Sequence, residues 1–202
     1  NGIMDTQTMC LEVDKRHFGT ATGHHKFKIS FSGCPIDCAR SREADLGFQG
    51  IVEPDLENDL CNACGLCITA CEEKALTMVN YLPVRDLSKC IYCGDCIKVC
   101  PVDAMKEKRK GWLVRAGGKH GRHPLFSYEV AQFVQDENVY PIIEKSMTWY
   151  QANGNGRERI GAAMGRVGLN KYLDEVIKPL GLEVIETAEE RKKFKAGGNL
   201  YL

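Results

Sequence analysis

"CNACGLCITAC" (Cys61 to Cys71) and "CIYCGDCIKVCP" (Cys90 to Pro101) share one spacing, C-x2-C-x2-C-x3-C. Three cysteines on so tight a loop let three thiolates each reach one iron of a cubane, and the fourth iron takes a thiolate from elsewhere. Where two such runs occur, the fourth cysteine of each serves the other's cluster. The spacing therefore predicts two [4Fe-4S] clusters, one on Cys61, Cys64, Cys67 and Cys100, the other on Cys90, Cys93, Cys96 and Cys71. Structural zinc draws ligand pairs from separated knuckles, and repeated C-x2-C pairs mark metal or redox loops rather than disulfides. Gly65 and Gly94 occupy the same place in both runs and suit a backbone turning closely round an inorganic core. Ile68, Ile91, Ile97 and Val99 are the expected apolar jacket that keeps water away. Glu72 follows Cys71 where Pro101 follows Cys100, so the first run is the less regular.

The runs resemble those of bacterial ferredoxins. Residues 55–110 are expected to form a ferredoxin-like module. Strand-like patches such as Leu76 to Tyr81 and a turn near Pro83 lie between the runs. "KEKRK" (Lys106 to Lys110) reads as a solvated linker at the module's end.

The rest of the 202 residues sets bounds on function. There are 27 basic and 27 acidic side chains, so no net charge draws the chain to nucleic acid or an anionic membrane. No apolar run approaches the ~18 residues of a membrane span. "NGIMDTQTMC" (Asn1 to Cys10) lacks the basic and apolar regions of a signal peptide, and it opens without Met, as a processed or truncated piece does. Eleven cysteines, an odd count without an export signal, point to a reducing cytoplasm rather than to disulfides.

Three cysteines fall outside the runs. "KFKISFSG" (Lys26 to Gly33) alternates Phe27, Ile29 and Phe31 with polar residues, the period of a half-buried strand. Gly33 breaks it, and Cys34 and Cys38 bracket "PID" on the turn that follows. Two free buried cysteines would be one reading. A radical-SAM loop, C-x3-C-x2-C, fails because Ser41 stands where its third cysteine would be. Cys10 is expected to be a packed cysteine in an N-terminal helix.

"SGCPIDCA" (Ser32 to Ala39) resembles the second half of the siroheme and [4Fe-4S] signature of nitrite and sulfite reductases. The resemblance implies that Cys34 and Cys38 are the third and fourth ligands of a siroheme-coupled cubane, and that Cys38 also bridges to the siroheme as its axial ligand. The first half of that signature, a C-x5-C pair, is not in this sequence. "NGIMDT", with Asp5 and Thr6, resembles the segment that follows it, so the missing pair is expected just upstream of Asn1. "ADLGFQGIVEP" (Ala44 to Pro54), "GWLVRAGGKHGRHP" (Gly111 to Pro124) and a helical "RERIG" (Arg157 to Gly161) resemble segments that flank the cofactor. A two-cluster module placed after the second cysteine pair is similar to dissimilatory-type enzymes, above all to the siroheme subunit of anaerobic sulfite reductases.

The implied fold is α+β, a sulfite-reductase-like α/β half-domain of residues 1–54 and 111–202 interrupted by the 2[4Fe-4S] module. Its helices are marked by apolar stripes at helical spacing. Val139, Ile142, Ile143, Met147 and Tyr150 form one, with Asp136 as N-cap and Pro141 in the first turn. Ile160, Met164 and Val167 form the next, ending near Gly168. Tyr172, Leu173, Val176 and Ile177 form another, stopped by Pro179. "TAEE" (Thr187 to Glu190) reads as a capping box opening a short charged helix.

Sulfite, nitrite and siroheme carboxylates are anions and need Arg or Lys partners. The candidates are Arg40, Arg42, Arg115, Lys119 and Arg122, with Gly117, Gly118, His120 and His123 as candidates for cofactor binding. "GGKHGRH" (Gly117 to His123) is either an exposed basic loop or a cofactor-facing one. The resemblance implies an oxidoreductase that, when complete, passes electrons through the ferredoxin clusters to a third cluster and siroheme and reduces sulfite or nitrite. This piece alone is expected to be inactive. Implied partners are a flavin or ferredoxin electron donor and a further reductase half. The alternative is a non-catalytic electron-transfer protein with two clusters.

Overall fold

The computed structural model describes residues 2–20 and 24–185, which fall into two units: residues 2–50 with 111–185, and residues 51–110. The capping box at Thr187 lies outside the described residues. In chain order the elements are α1 (Thr6–His17), β1 (Ile29–Ser32), β2 (Leu46–Leu56), α2 (Leu66–Thr69), β3 (Leu76–Val79), β4 (Leu82–Arg85), α3 (Asp95–Lys98), β5 (Met105–Ala116), β6 (Tyr128–Val134), α4 (Asp136–Asn153), α5 (Ile160–Val167), α6 (Leu169–Tyr172) and β7 (Glu183–Val184). Helices and sheets are mixed, and the fold is α+β.

One sheet has the order β1-β2-β5-β6-β7. β1 runs parallel to β2, and β6 is antiparallel to both β5 and β7. The first unit's core collects on this sheet. Phe31 lies opposite Phe48 in the parallel register and stacks on it at 4.7 Å, with Trp112 edge-on to both. Each such ring removed from water stabilises the unit by roughly 1.5–3 kcal/mol. The α4 stripe of Val139, Ile142, Ile143, Met147 and Tyr150 is buried there. So are Ile160 and Met164 of α5, and Tyr172, Leu173, Val176 and Ile177. Helix α1 adds Met9 and Val13 and is capped by Asp5, whose carboxylate accepts from the Gln7 and Thr8 N–H groups at 3.0 and 3.1 Å.

Several local expectations need correcting. Asp136 is the first residue of α4, not its cap. Gln135 holds that place, and the Asp136 carboxylate accepts from Trp112 Nε1 at 2.7 Å. Pro141 lies inside α4, beyond the first turn. Pro179 does not stop the last helix: the chain widens through a π turn (Leu173–Ile177), tightens through a 3-10 turn (Lys178–Leu180) and ends at Gly181, which is left-handed. "KEKRK" is not a linker but the outer half of β5. Its charges are paired: Lys106 with Glu57, Lys108 and Arg109 with Glu53, Lys110 with Glu107. Of "RERIG" only Ile160 and Gly161 are helical. Cys10 lies in α1, but on its exposed side, since the positions that meet the core are Met9 and Val13.

Candidate metal centres

Two cavities lie in the second unit. Cys61, Cys64, Cys67 and Cys100 line the first, and Cys71, Cys90, Cys93 and Cys96 line the second. The same fours are grouped by the spacing of the two runs. Among the described residues no three His, Cys, Asp or Glu side chains converge closely enough for a single metal ion. The sulfurs surround a space rather than a point.

A repeat of 29 residues builds this arrangement, with Cys61 matching Cys90 and Cys71 matching Cys100. Ala63 and Tyr92 share positive φ (57° and 59°), as do Gly65 and Gly94 (both 77°) and Lys74 and Asp103 (50° and 51°). Left-handed residues on both sides of Cys64 and Cys93 curl each loop round its cavity, and glycine takes such a φ without strain. One-turn helices α2 and α3 follow at once. The fourth cysteines are braced alike: Ala75 N–H donates to Cys71 Sγ at 3.3 Å and Met105 N–H to Cys100 Sγ at 3.4 Å. Strands β3 and β4 form a hairpin between the runs. Its turn is Asn80–Tyr81, both at positive φ, not Pro83, which pairs with Met78 within the ladder.

The expected apolar jacket is only partly right. Ile91 lines the second cavity, but Val99 is exposed and Ile68 and Ile97 line neither. Residues from outside the runs do that work, including Leu56, Met78 and Met105 in the first cavity and Pro54 and Leu76 in the second. Burial pushes the Cys93 thiol up to about 11 and the Cys96 thiol up to about 12, and raises Cys67 and Cys90. At Cys100 burial also works upward, but N–H donation from Met105, Val102 and Ala104 outweighs it and holds the thiol below its ordinary range.

The Cys34–Cys38 turn is in the first unit. Cys34 is half-buried and Cys38 exposed. Asp37, between them, is left-handed at φ 58° and its carboxylate ties the turn together. One oxygen accepts from Ser32 Oγ (2.5 Å), Ser41 N–H (2.8 Å) and Ser41 Oγ (2.6 Å). The other accepts from Arg42 N–H at 3.2 Å and faces Arg42 Nε at 3.6 Å. The carbonyl of Gly33 accepts from the N–H groups of Ile3 and Met4 at 2.7 and 3.2 Å. A side chain at Gly50 would come within 2.3 Å of that carbonyl, so β2 needs glycine there. The segment entering α1 thus runs past the residue that precedes Cys34.

The basic candidates do not gather at one place. Arg40 is exposed, and Arg42 is held by Asp37. Arg115 is buried, bridging Glu129 (2.7 Å) and Gln49 Oε1 (3.0 Å). Gly117 and Gly118 are buried against protein: a side chain at Gly118 would meet the carbonyls of Ala44 and Arg42 at 2.5 and 2.6 Å. Lys119 bridges to Leu125, while His120, Arg122 and His123 are exposed and His120 pairs with Glu43. Sequence reasoning missed the buried polar frame. It includes Asp45, which is fully buried and takes Arg159 Nε at 2.8 Å, and Glu53 with Arg85 at 3.3 Å. Isolated acidic residues inside apolar strands, as in "ADLGFQGIVEP", were the available signal, since a buried carboxylate needs a partner.

Residues 1–184 match the family model of the nitrite and sulphite reductase 4Fe-4S domain. The chain belongs to that family. It is 34% identical over 186 residues to the coenzyme F420-dependent sulfite reductase of Methanocaldococcus jannaschii, covering 91% of this chain and 30% of that protein. It is 38% identical over 99 residues to a subunit of the anaerobic sulfite reductase of Salmonella typhimurium, covering 47% of this chain and 29% of that one. Its fold matches a crystal structure of dissimilatory sulfite reductase I with a TM-score of 0.69 at 21% identity, over 94% of this chain and 50% of the other. The chain thus spans between about a third and a half of these relatives' lengths. No helix among the described residues is long and apolar enough to cross a membrane.

Proposed function

We propose that this chain is the electron-relaying and siroheme-ligating part of a sulfite reductase. The observation that carries the reading is the sorting of eight cysteines into two cavities, each lined by three sulfurs of one run and the fourth of the other. Bound there, [4Fe-4S] cubanes would supply one-electron storage. The chain's own residues hold the sulfurs apart, brace Cys71 and Cys100 by backbone N–H groups and line both spaces with apolar side chains.

Cys34 and Cys38 would supply the second half of a four-cysteine site, and Cys38, exposed on its turn, would be the residue that ligates siroheme. Asp37 sets the position of both sulfurs by fixing the turn. In a longer chain, residues preceding Asn1 would enter beside Gly33, where a C-x5-C pair could complete the site. Arg40, Lys119 and Arg122, with His120 and His123 on the same loop as Lys119 and Arg122, are the residues proposed to meet an anionic substrate or cofactor carboxylates. Sulfite fits the relatives, which are sulfite reductases, and nitrite is the substrate variant. An electron donor, a flavin or ferredoxin protein, completes the pathway, and thiolate clusters suit a reducing cytoplasm.

The test uses the full-length protein. A siroheme absorption spectrum and sulfite-dependent oxidation of a reduced dye are expected. Absence of both in protein that carries the upstream cysteines would sink the reading. The second reading is a two-cluster carrier without catalysis, and the observation behind it is the pair of cavities, each lined by four cysteines. Iron in the second unit with no tetrapyrrole at Cys38, in the full-length protein, would select it.

A further inference from the structure

The 29-residue repeat makes the two cavities each other's control. Most of their lining positions correspond: Pro83 with Pro54, Ala104 with Ala75, Met105 with Leu76. At two pairs a charge replaces an apolar side chain: Glu73 stands opposite Val102, and one further pair gains a cation. Leu56 lines the first cavity and Arg85 stands at its counterpart in the second. Among the described residues the first cavity's lining includes no Asp, Glu, Lys or Arg.

Arg85 is the last residue of β4, with a side chain 21% exposed. Its Nη2 donates to Glu53 Oε1 at 3.3 Å, and its guanidinium lies 5.6 Å from the centre of the Tyr92 ring. Carboxylate and ring hold the guanidinium in place. Its Nη1 is buried and has no hydrogen-bond partner among the described residues. Arg85 lines the cavity together with Cys90 and acts electrostatically on that sulfur. A buried guanidinium N–H left without an acceptor costs free energy unless a partner arrives. Sulfur carrying negative charge is the acceptor the site would provide.

We propose that Arg85 is a tuning residue for the second cavity, donating from Nη1 to the Cys90 side of the cluster held there and raising that cluster's reduction potential without touching the first. This rests on the cluster reading above. A cation and an N–H donor beside a cluster favour the reduced state, which carries one more negative charge. Glu73 and Asp95 also line the cavity and oppose this, but Asp95 is paired with Lys98 at 3.0 Å. Removing Arg85 removes the lining's one cation and its one directed side-chain N–H from a guanidinium.

The experiment is a redox titration of the anaerobically reconstituted chain, followed by electron paramagnetic resonance, for wild type, Arg85→Gln and Arg85→Lys. In Arg85→Gln one of the two couples should move to more negative potential, with the reduced-to-oxidised ratio at fixed potential falling about tenfold, ~59 mV for one electron. The other couple should stay in place. Arg85→Lys, which keeps the charge but not the fork of donors, should move the same couple by less. If Arg85→Gln takes up too little iron to titrate, Arg85→Lys carries the comparison. Unchanged potentials in the loaded variant, or equal movement of both couples, would overturn the inference while leaving the cluster reading intact. A wild type that takes up no cubane defeats the cluster reading, and this inference with it.

Discussion

Asp37 stands in the left-handed region, where most side chains are strained and Asp is among the tolerated. Its carboxylate answers two serine hydroxyls and two backbone N–H groups on the cysteine-pair turn. Asp37→Ala removes the acceptor and leaves those donors unanswered in a half-buried place. Hydrogen bonds to a charged group contribute roughly 1.5–3 kcal/mol each, and they are not additive. The expected loss is about 3 kcal/mol in urea denaturation. Asp37→Asn should lose less, because asparagine tolerates the same φ and keeps one acceptor. A change below ~1 kcal/mol in Asp37→Ala would show that the turn does not depend on the carboxylate. At this scale the cysteines were legible because chemistry fixes their spacing. Asp37 was visible only as part of a quoted motif, and the pairing of Asp45 with Arg159, 114 positions apart, depends on long-range packing that no local pattern encodes.

The β3–β4 hairpin turns at Asn80–Tyr81 with both residues at positive φ, the two-residue turn that favours Asn-Gly. Tyr81 is 81% exposed, so its ring contributes little packing to offset the strain. Tyr81→Gly should stabilise the hairpin by about 0.5–1 kcal/mol, the left-handed cost of an L-residue less the extra backbone entropy of glycine. Thermal denaturation measures it, and a lower midpoint would contradict it. The sequence pointed to a turn at Pro83 because proline punctuates chains, but each strand of a two-stranded ribbon is an edge strand, where a proline is tolerated. "KEKRK" misled for a similar reason. A charge run reads as solvated linker, yet here the charges decorate the outer half of a strand and are answered by Glu53, Glu57 and Glu107.

The second cavity also makes a pH prediction at the element scale. A thiol must lose its proton to bind iron. Burial raises Cys93 to about 11 and Cys96 to about 12, so both are protonated near neutrality in the metal-free chain. A ligand group with a raised pKa weakens metal uptake progressively as pH falls below that pKa. Iron loading of the second cavity should therefore release protons and should be less complete at about pH 6.5 than at about pH 8.5. Cys100, held low by three N–H donors, gives the first cavity less of this dependence. Anaerobic reconstitution at the two pH values, read by visible absorbance in a variant lacking Cys61, would test it. Loading independent of pH would count against it.

For the molecule as a whole, the family and the α+β fold were legible because "SGCPIDCA" and the doubled cysteine run are rare combinations, each tied to a specific chemistry. The apolar stripes of α4 and α5 could be read because helical periodicity is local. The cavity linings could not, since Leu56 and Pro54 reach them from outside the runs. Likewise the glycines of "GGKHGRH" suited a ligand equally well, and only the packed chain shows Gly118 closing on Ala44 and Arg42. The crossed arrangement of the cavities predicts that Cys100→Ser impairs the site of Cys61, Cys64 and Cys67 and spares the one made by its own run. The central claim is that this chain carries two cubanes, and iron and acid-labile sulfide analysis of the anaerobically reconstituted protein tests it most directly. About eight of each per chain are predicted. One or two metal atoms per chain with no sulfide would contradict it.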